Sequence, residues 1–386
     1  MINRFVTEKL RAAASQYPVV AVTGPRQSGK TTLVREVFRS HAYVSLEDPD
    51  VQEQAGDDPR RFLSRCREGV ILDEVQRSPN LLSYIQTDVD LDDRPGRFIL
   101  TGSSNLLLLR GIAQSLAGRV SLHTLLPFSL AELQSAGREP ASLEAMLFAG
   151  FFPRIHDKGL DPQEWYRNYL STYVERDLRQ ILNVGDLAAF RRFLRLCAAR
   201  SGQLLNLSLL GSDAGITHNT ARAWLSVLET TYLVALLPPW HGSLGKRLIK
   251  TPKLYFLDPG LLTTSLGIRS ADELETHSMR GAIFESWIVA EAMKASLNRG
   301  RAPDLHFFRT HGGHEVDLLI GDNAVEVKSG TTLAADWFRG LTGWEELTGS
   351  ATGRGLVFYG GDTDQSLRHG TLVGWRNAPS RLADLS

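Results

Sequence analysis

Cysteine is nearly absent. The 386 residues include two, Cys66 and Cys197, far apart in sequence. That excludes a zinc cluster built on cysteines and fits a reducing compartment. Net charge is also lacking, since 43 Lys and Arg balance 43 Asp and Glu. No global field draws such a chain to nucleic acid or membrane, and any such contact has to come from local patches. No apolar run approaches a membrane span, and the four leucines at 106–109 fall far short of one. The amino terminus, MINRFVTEKLRAAASQ, reads as a charged amphipathic helix and not as a signal peptide. Long repeats and low-complexity tracts are missing too. These absences point to a cytoplasmic protein with no membrane partner. The length suggests two or three domains, and 42% hydrophobic content is enough for ordinary buried cores.

What is present begins with residues 24–31, Gly24-Pro25-Arg26-Gln27-Ser28-Gly29-Lys30-Thr31. They match the phosphate-loop pattern G-x-x-x-x-G-K-[ST]. Val19 to Val22 before them is apolar and β-branched, as a buried strand is. Residues 30–40 after them have helical spacing, with Leu33, Val34 and Val37 on one face. A strand, a tight glycine-containing loop and a helix direct backbone N–H groups at an anion. In this pattern Lys30 reaches the β- and γ-phosphates of ATP and the Thr31 hydroxyl ligates Mg²⁺. Residues 24–31 together with Thr32 are the expected nucleotide-binding set.

Val70-Ile71-Leu72-Asp73-Glu74 is a short apolar strand ending in two carboxylates. In a Walker B arrangement Asp73 holds Mg²⁺ through its water shell and Glu74 polarises the attacking water. Ala42 to Leu46 is an extra strand, Phe98 to Ser103 another, and Val120 to Leu125 a fifth. Asn105 follows the fourth strand, where a polar residue contacts the γ-phosphate or the water. A helix cap made by Ser104 or Asn105 is the alternative. Arg119 precedes the fifth strand, either as an arginine that neutralises charge on a neighbouring subunit's nucleotide or as one half of a structural ion pair.

Residues 156–162 are polar and turn-rich and read as a boundary. From Trp165 to Arg200 the pattern is helical and rich in arginine: Arg167, Arg176, Arg179, Arg191, Arg192, Arg195 and Arg200 face only Glu175, Asp177 and Asp186. Such a face contacts phosphates, or is a solvated or intersubunit surface. Residues 206–237 resemble a helix-turn-helix, with a short helix at Leu207 to Ala214, Gly215 at the turn and a longer helix from Ile216-Thr217. Ala221, Trp224, Leu225 and Leu228 point inward, and Thr217, His218, Asn219 and Arg222 outward, where such helices read base edges. Leu233 to Trp240 and Lys253 to Leu257 are strands of a wing. An interaction module without DNA readout fits the same pattern.

The C-terminal part reads as a helix (Met279 to Leu297, with Glu285 among apolar residues), three strands (Leu305 to Arg309, Glu315 to Ile320, Ala324 to Lys328), a helix (Ala334 to Leu347) and a strand (Gly355 to Tyr359). Asp317 and the pair Glu326 and Lys328 stand on adjacent strands, and alternation puts Glu326 and Lys328 on one face. Two carboxylates on paired strands bind a divalent ion, and a lysine beside them positions water. A backbone carbonyl near Val327 is the expected third ligand. Glu285 completes the cluster. Charges on a solvated face, or a retained but inactive site, are the alternatives.

Together GPRQSGKTTL, VILDEVQRSPNLL, FILTGSSNLLLL, SLAGR with LPFSLAEL, YLSTYVERDL, KLYFLDPGL and the EVDLLI…AVEVKSG block resemble prokaryotic AAA+ ATPases of the archaeal-ATPase-like kind, which carry a C-terminal domain of unknown function. The resemblance covers nearly the whole chain. It implies an α/β protein: a P-loop AAA+ parallel-sheet domain (1–160), a helical and winged-helix domain (161–270) and a C-terminal α/β domain like restriction endonucleases of the PD-(D/E)xK type (271–386). Lys30, Thr31, Asp73, Glu74 and Asn105 match Walker and sensor positions, and Arg119 matches an arginine finger. Asp317, Glu326 and Lys328 match the nuclease core, with Glu285 as the helix acid. Val316 stands where the motif's name has proline. The implied function is Mg²⁺-dependent ATP hydrolysis coupled to binding, and cleavage, of nucleic acid, DNA in preference to RNA, in a homo-oligomer. The alternative is an ATP-dependent assembly or signalling switch whose nuclease-like domain is an inactive module.

Overall fold

The computed structural model describes residues 2–66, 68–103, 115–174, 186–241, 248–334, 336–349, 355–368 and 370–386. Asn105, Glu175, Arg176, Asp177 and Arg179 lie outside them. The chain forms two compact units: Met1–Phe128 with Thr230–Tyr232 and Leu297–Arg301, and Ser129–Glu229 with Leu233–Ser296 and Ala302–Ser386.

The first unit is built on five parallel strands: β1 (Val19–Thr23), β2 (Ala42–Ser45), β3 (Val70–Asp73), β4 (Phe98–Gly102) and β5 (Val120–Thr124), in the order β2-β3-β4-β1-β5. Strands β1, β3 and β4 are buried along their whole length, which is why they read as unbroken apolar runs. Alternate residues feed two cores: Val19, Ala21, Leu72 and Leu100 pack on one face, and Val20, Val22, Ile71 and Ile99 on the other. Burying a side chain of this size stabilises the fold by about 1.5–3 kcal/mol. Helix Lys30–Val37 follows β1 directly and seats Leu33 and Val34 in the second core. Strand β4 lies between β1 and β3, so the loop after β1 and the carboxylates ending β3 are one strand apart.

In the second unit, helices Leu187–Ala199, Leu207–Ala214 and His218–Thr230 come in succession. Trp224 meets the rings of Phe190 and Phe193 edge-on at 5.4 and 5.6 Å. Gly215 has φ 71°, the left-handed turn expected between the last two helices. Thr217 caps the following helix, accepting the Thr220 N–H at 3.1 Å. Then β6 (Val234–Leu237) and β7 (Lys253–Phe256) pair antiparallel, and Leu204 bridges to Lys253 on the far side of β7. The first unit ends well before residue 160, because helix Leu143–Ala149 packs on helices Pro259–Leu266 and Ala271–Thr276 of the second.

The C-terminal sheet is mixed, in the order β12-β13-β11-β10-β9-β8. Its strands are β8 (Leu305–Arg309), β9 (Glu315–Ile320), β10 (Asn323–Lys328), β11 (Gly355–Tyr359), β12 (Gln365–Leu367) and β13 (Gly370–Gly374). The last two strands and helix Ala378–Leu385 extend the arrangement read from the sequence. Helix Arg339–Thr348 begins later than the expected Ala334 and buries Leu341 and Trp344 against Val316, Leu319 and Val357. Among the described residues no helix is long and apolar enough to cross a membrane.

Candidate functional site

The loop after β1 is held in conformations that ordinary residues avoid. Gly24 has φ 145°, Gln27 φ 64° and Gly29 φ 92°. Successive left-handed turns of this kind point backbone N–H groups into one concavity, the geometry that cradles phosphate. Gly24 is required sterically as well: a Cβ there would lie 2.1 Å from the Leu125 carbonyl oxygen. Buried Arg4 braces the loop from outside. Its guanidinium donates to the Ser28 carbonyl at 2.9 Å and to the Leu126 carbonyl at 2.6 Å. Among the described residues the Ser28 hydroxyl is buried with no hydrogen-bond partner, as suits a group facing a ligand.

Lys30 is buried and its ammonium donates to the Gly24 and Pro25 carbonyls at 3.0 and 2.8 Å, so the lysine lies over the loop. Thr31 Oγ1 is 3.0 Å from each Asp73 carboxylate oxygen. Thr32, next in the helix, is exposed. Asp73 also accepts from the Tyr43 hydroxyl at 2.8 Å and from Thr101 Oγ1. Burial and the Asp73 carboxylate push the Tyr43 hydroxyl up to about 12, and the Arg35 guanidinium lies 4.6 Å from its ring centroid. A threonine hydroxyl and an aspartate in contact offer the hard oxygen ligands that Mg²⁺ takes.

Glu74 has φ 56° and ψ 46°, a backbone conformation costly for a residue with a side chain. The turn brings its carboxylate to Ser103, whose hydroxyl donates at 2.9 Å, and to Gln76. Burial works against the charged form, but Lys30 and these donors outweigh it and lower the pKa, keeping Glu74 an anion. Arg119 donates to Asp90 at 2.5 Å and to the Ala117 carbonyl at 3.2 Å, so it holds an ion pair within the unit.

A second cluster lies in the C-terminal sheet. The β9–β10 ladder ends at the pair Leu318 and Val325. Beyond it the Asp317 carboxylate accepts the Val327 N–H at 2.9 Å, which joins the two strands through a side chain. Lys328 Nζ lies 3.1 Å from Asp317 Oδ2 and 2.5 Å from Glu326 Oε2, so both carboxylates converge on one ammonium. Burial and the neighbouring Asp317 raise the buried Glu326 carboxyl to about 9. Burial also opposes the Asp317 anion, but Lys328 and Lys253 outweigh it and depress its pKa. Helix Arg339–Thr348 reaches Glu326 closely, and a Cβ on Gly340 would lie 1.9 Å from Glu326 Oε1.

Glu285 contacts residues of β7. Tyr255 donates to it at 2.5 Å, and the buried Lys253 stands 3.4 Å from it and 2.6 Å from Glu315. Burial raises the Glu285 pKa, with Asp317 adding to the effect. Lys253 and Tyr255 lie in the KLYFLDPGL stretch and Glu315 opens EVDLLI, but nothing in those stretches shows that the three meet. The visible signal is a lysine opening an otherwise apolar strand. Tyr43 and Arg4 carry no sequence signal for their contacts; Thr101 and Ser103 are legible as the small polar end of β4. Among the described residues no three or more His, Cys, Asp or Glu side chains are arranged to hold a metal ion. In the helix pair before β6, Thr217, His218, Asn219 and Arg222 are exposed, as expected.

The sequence matches a family described as "AAA domain" over residues 16–134, a domain of unknown function (DUF8612) over 140–272 and a domain of unknown function (DUF4143) over 280–377. The uncharacterized protein Rv2008c of Mycobacterium tuberculosis is 34% identical over 322 residues, which is 82% of this chain and 71% of the relative. The uncharacterized protein MJ1544 of Methanocaldococcus jannaschii is 24% identical over 357 residues, 84% of this chain and 76% of the relative. A solved structure, the Walker-type ATPase PABY2304 of Pyrococcus abyssi, aligns over 69% of this chain and 96% of its own, with 15% identity and a TM-score of 0.47. The chain carries a P-loop domain of the AAA ATPases, a nucleotide-binding fold, and it belongs to the family of the mycobacterial protein Rv2008c.

Proposed function

We propose that the chain hydrolyses Mg·ATP at loop 24–31 and couples this to binding and cutting nucleic acid through its second unit. The contact between Thr31 and both oxygens of Asp73 carries the first half. Thr31 and Asp73 would hold a Mg²⁺ ion, whose chemistry is to neutralise phosphate charge. Lys30 moves from the Gly24 and Pro25 carbonyls to the phosphates. Glu74, held ionised, orients and polarises the attacking water. Asn105 and Arg119 stabilise developing charge. Arg119 gives up Asp90 to serve a neighbouring subunit, and this requires a homo-oligomer.

The second half rests on Asp317 and Glu326 converging on Lys328. Asp317 and Glu326 would hold a divalent cation, Lys328 would position its water, and Glu285 would stand at the edge of the cluster. Such a site supports phosphodiester cleavage, since the metal lowers the pKa of its water and neutralises the leaving oxyanion. Three helices, a left-handed Gly215 turn and the β6–β7 pair support reading the middle of the chain as a winged helix. Its exposed His218, Asn219 and Arg222 would face a DNA groove.

A second reading has its own observation. Lys253 and Lys328 already neutralise carboxylates of the cluster, as they would in an inactive module of an ATP-dependent switch. Incubating purified protein with single- and double-stranded DNA and Mn²⁺ separates the two readings. Cleavage that vanishes in Asp317→Ala and Lys328→Ala, with ATP turnover kept, supports the nuclease. No cleavage by the unaltered protein favours the switch.

A further inference from the structure

Three helices of the second unit, Pro162–Tyr169, Leu187–Ala199 and Pro259–Leu266, pack together. Between them lies a cleft of about 620 Å³. Its rim carries Arg167 from the first helix, Arg191 and Arg195 from the second and Arg269 from the turn after the third. Gly267, with φ 81°, ends the third helix and turns the chain toward Arg269. Phe190 and Leu194, both buried residues, line it from within. Among the described residues no aspartate or glutamate lines it.

Arg167 donates to the Gln163 carbonyl at 3.3 Å within its own helix. Arg191 and Arg195 are four apart, on one face of one helix, where like charges repel. Arg192 between them serves the fold: it donates to the Ala214 carbonyl at 2.9 Å and so caps helix Leu207–Ala214. Adding Arg167 and Arg269 from two other elements focuses positive potential in one concave place. Guanidinium forks match phosphate oxygens in pairs. The volume falls within the roughly 300–1,000 Å³ of small-molecule sites.

We propose that this cleft binds a small diphosphate-bearing molecule at a site distinct from loop 24–31. A cleft bounded by three helices favours a compact ligand over an extended strand. Inorganic pyrophosphate and ADP share the required chemistry and serve as the two probes.

The test is calorimetric titration of Lys30→Ala, which weakens the loop site, with each probe. Saturable binding of one equivalent is expected, and adding Arg167→Gln and Arg195→Gln should weaken it about tenfold or more, as loss of charged hydrogen bonds does. Arg195→Lys keeps the charge without the fork and should fall between. ADP binding more tightly than pyrophosphate would identify an organic ligand, and equal affinity an inorganic one. Should the double variant not fold, Arg269→Gln on the exposed turn replaces it. Binding that no arginine change alters overturns the proposal. So does the absence of saturable binding, or affinity seen only with oligonucleotides, which would make the groove a nucleic-acid track.

Discussion

The Thr31 hydroxyl and the Asp73 carboxylate touch, 3.0 Å from oxygen to oxygen, although they stand 42 positions apart in sequence. One opens the helix after β1 and the other closes β3. Their contact joins two elements that the sequence presents separately, at the place proposed above for Mg²⁺. Thr31→Ala should therefore weaken Mg²⁺-dependent ATP binding while leaving the loop's backbone donors in place. Lys30→Ala should lower ATP affinity by about 10- to 100-fold, the effect of a lost charged hydrogen bond. Titration of a fluorescent ATP analogue with and without Mg²⁺ checks both. Equal, Mg²⁺-independent losses would contradict the separate roles.

Gly24 should tolerate no side chain. An added Cβ would meet the Leu125 carbonyl at 2.1 Å, at a φ of 145°. Gly24→Ala should lower the melting temperature and abolish ATP binding, since the backbone strain alone costs about 1–3 kcal/mol. Gly118, at φ 78° with nothing within 4 Å, is the control and should show the smaller loss. Differential scanning calorimetry of the two variants makes the comparison.

Arg119 pairs with Asp90 on a surface where such pairs add little stability. Arg119→Ala should then melt close to the parent protein. If Arg119 serves a neighbouring nucleotide, the variant binds ATP normally and loses turnover, by as much as about 10³-fold. Mixing it with Lys30→Ala should restore part of the activity. Full turnover in Arg119→Ala would leave the residue a structural half of its ion pair.

Glu326 makes the C-terminal cluster sensitive to pH. Its carboxyl, raised by burial and by Asp317 from 4.5 to about 9, keeps a proton in the folded chain that the unfolded chain releases. The folded state binds more protons between those values, so stability should fall as pH rises from 4.5 through about 9. Glu326→Gln should flatten that slope, and Mn²⁺ should bind more tightly as pH rises because it displaces the proton. Melting curves at pH 6 and pH 9, with and without Mn²⁺, measure both. An unchanged slope in Glu326→Gln would show that another group holds the proton.

The legible part of this protein was its backbone pattern. Buried parallel strands are apolar throughout, and β1, β3 and β4 announced themselves in this way. Strand β2 was visible as Ala42 to Leu46, although its residues are half exposed. Lys30, Thr31, Asp73 and Glu74 are legible as candidates because a local sequence pattern fixes their places. Asp317, Glu326 and Lys328 are legible as candidates because charge inside an apolar strand is conspicuous. What escaped was long-range contact. Arg4 reaches Leu126 across 122 residues, and Lys253 meets Glu315 at 2.6 Å. No periodicity encodes such pairs, since each depends on how whole elements pack. Glu74's left-handed backbone was hidden for a related reason, because its surroundings impose the strain.

Glu74→Gln tests the central claim most directly. The substitution keeps the side chain's size and leaves Thr31 and Asp73 untouched, removing only the charge that polarises water. ATP binding and single-turnover phosphate release are measured on the same preparation. The expected result is ATP affinity close to that of the parent protein with release slowed about 100-fold or more, the usual contribution of a positioned general base. Release at the parent rate would contradict the assignment of Glu74, and with it the reading of loop 24–31, Asp73 and Glu74 as one ATP-hydrolysing centre.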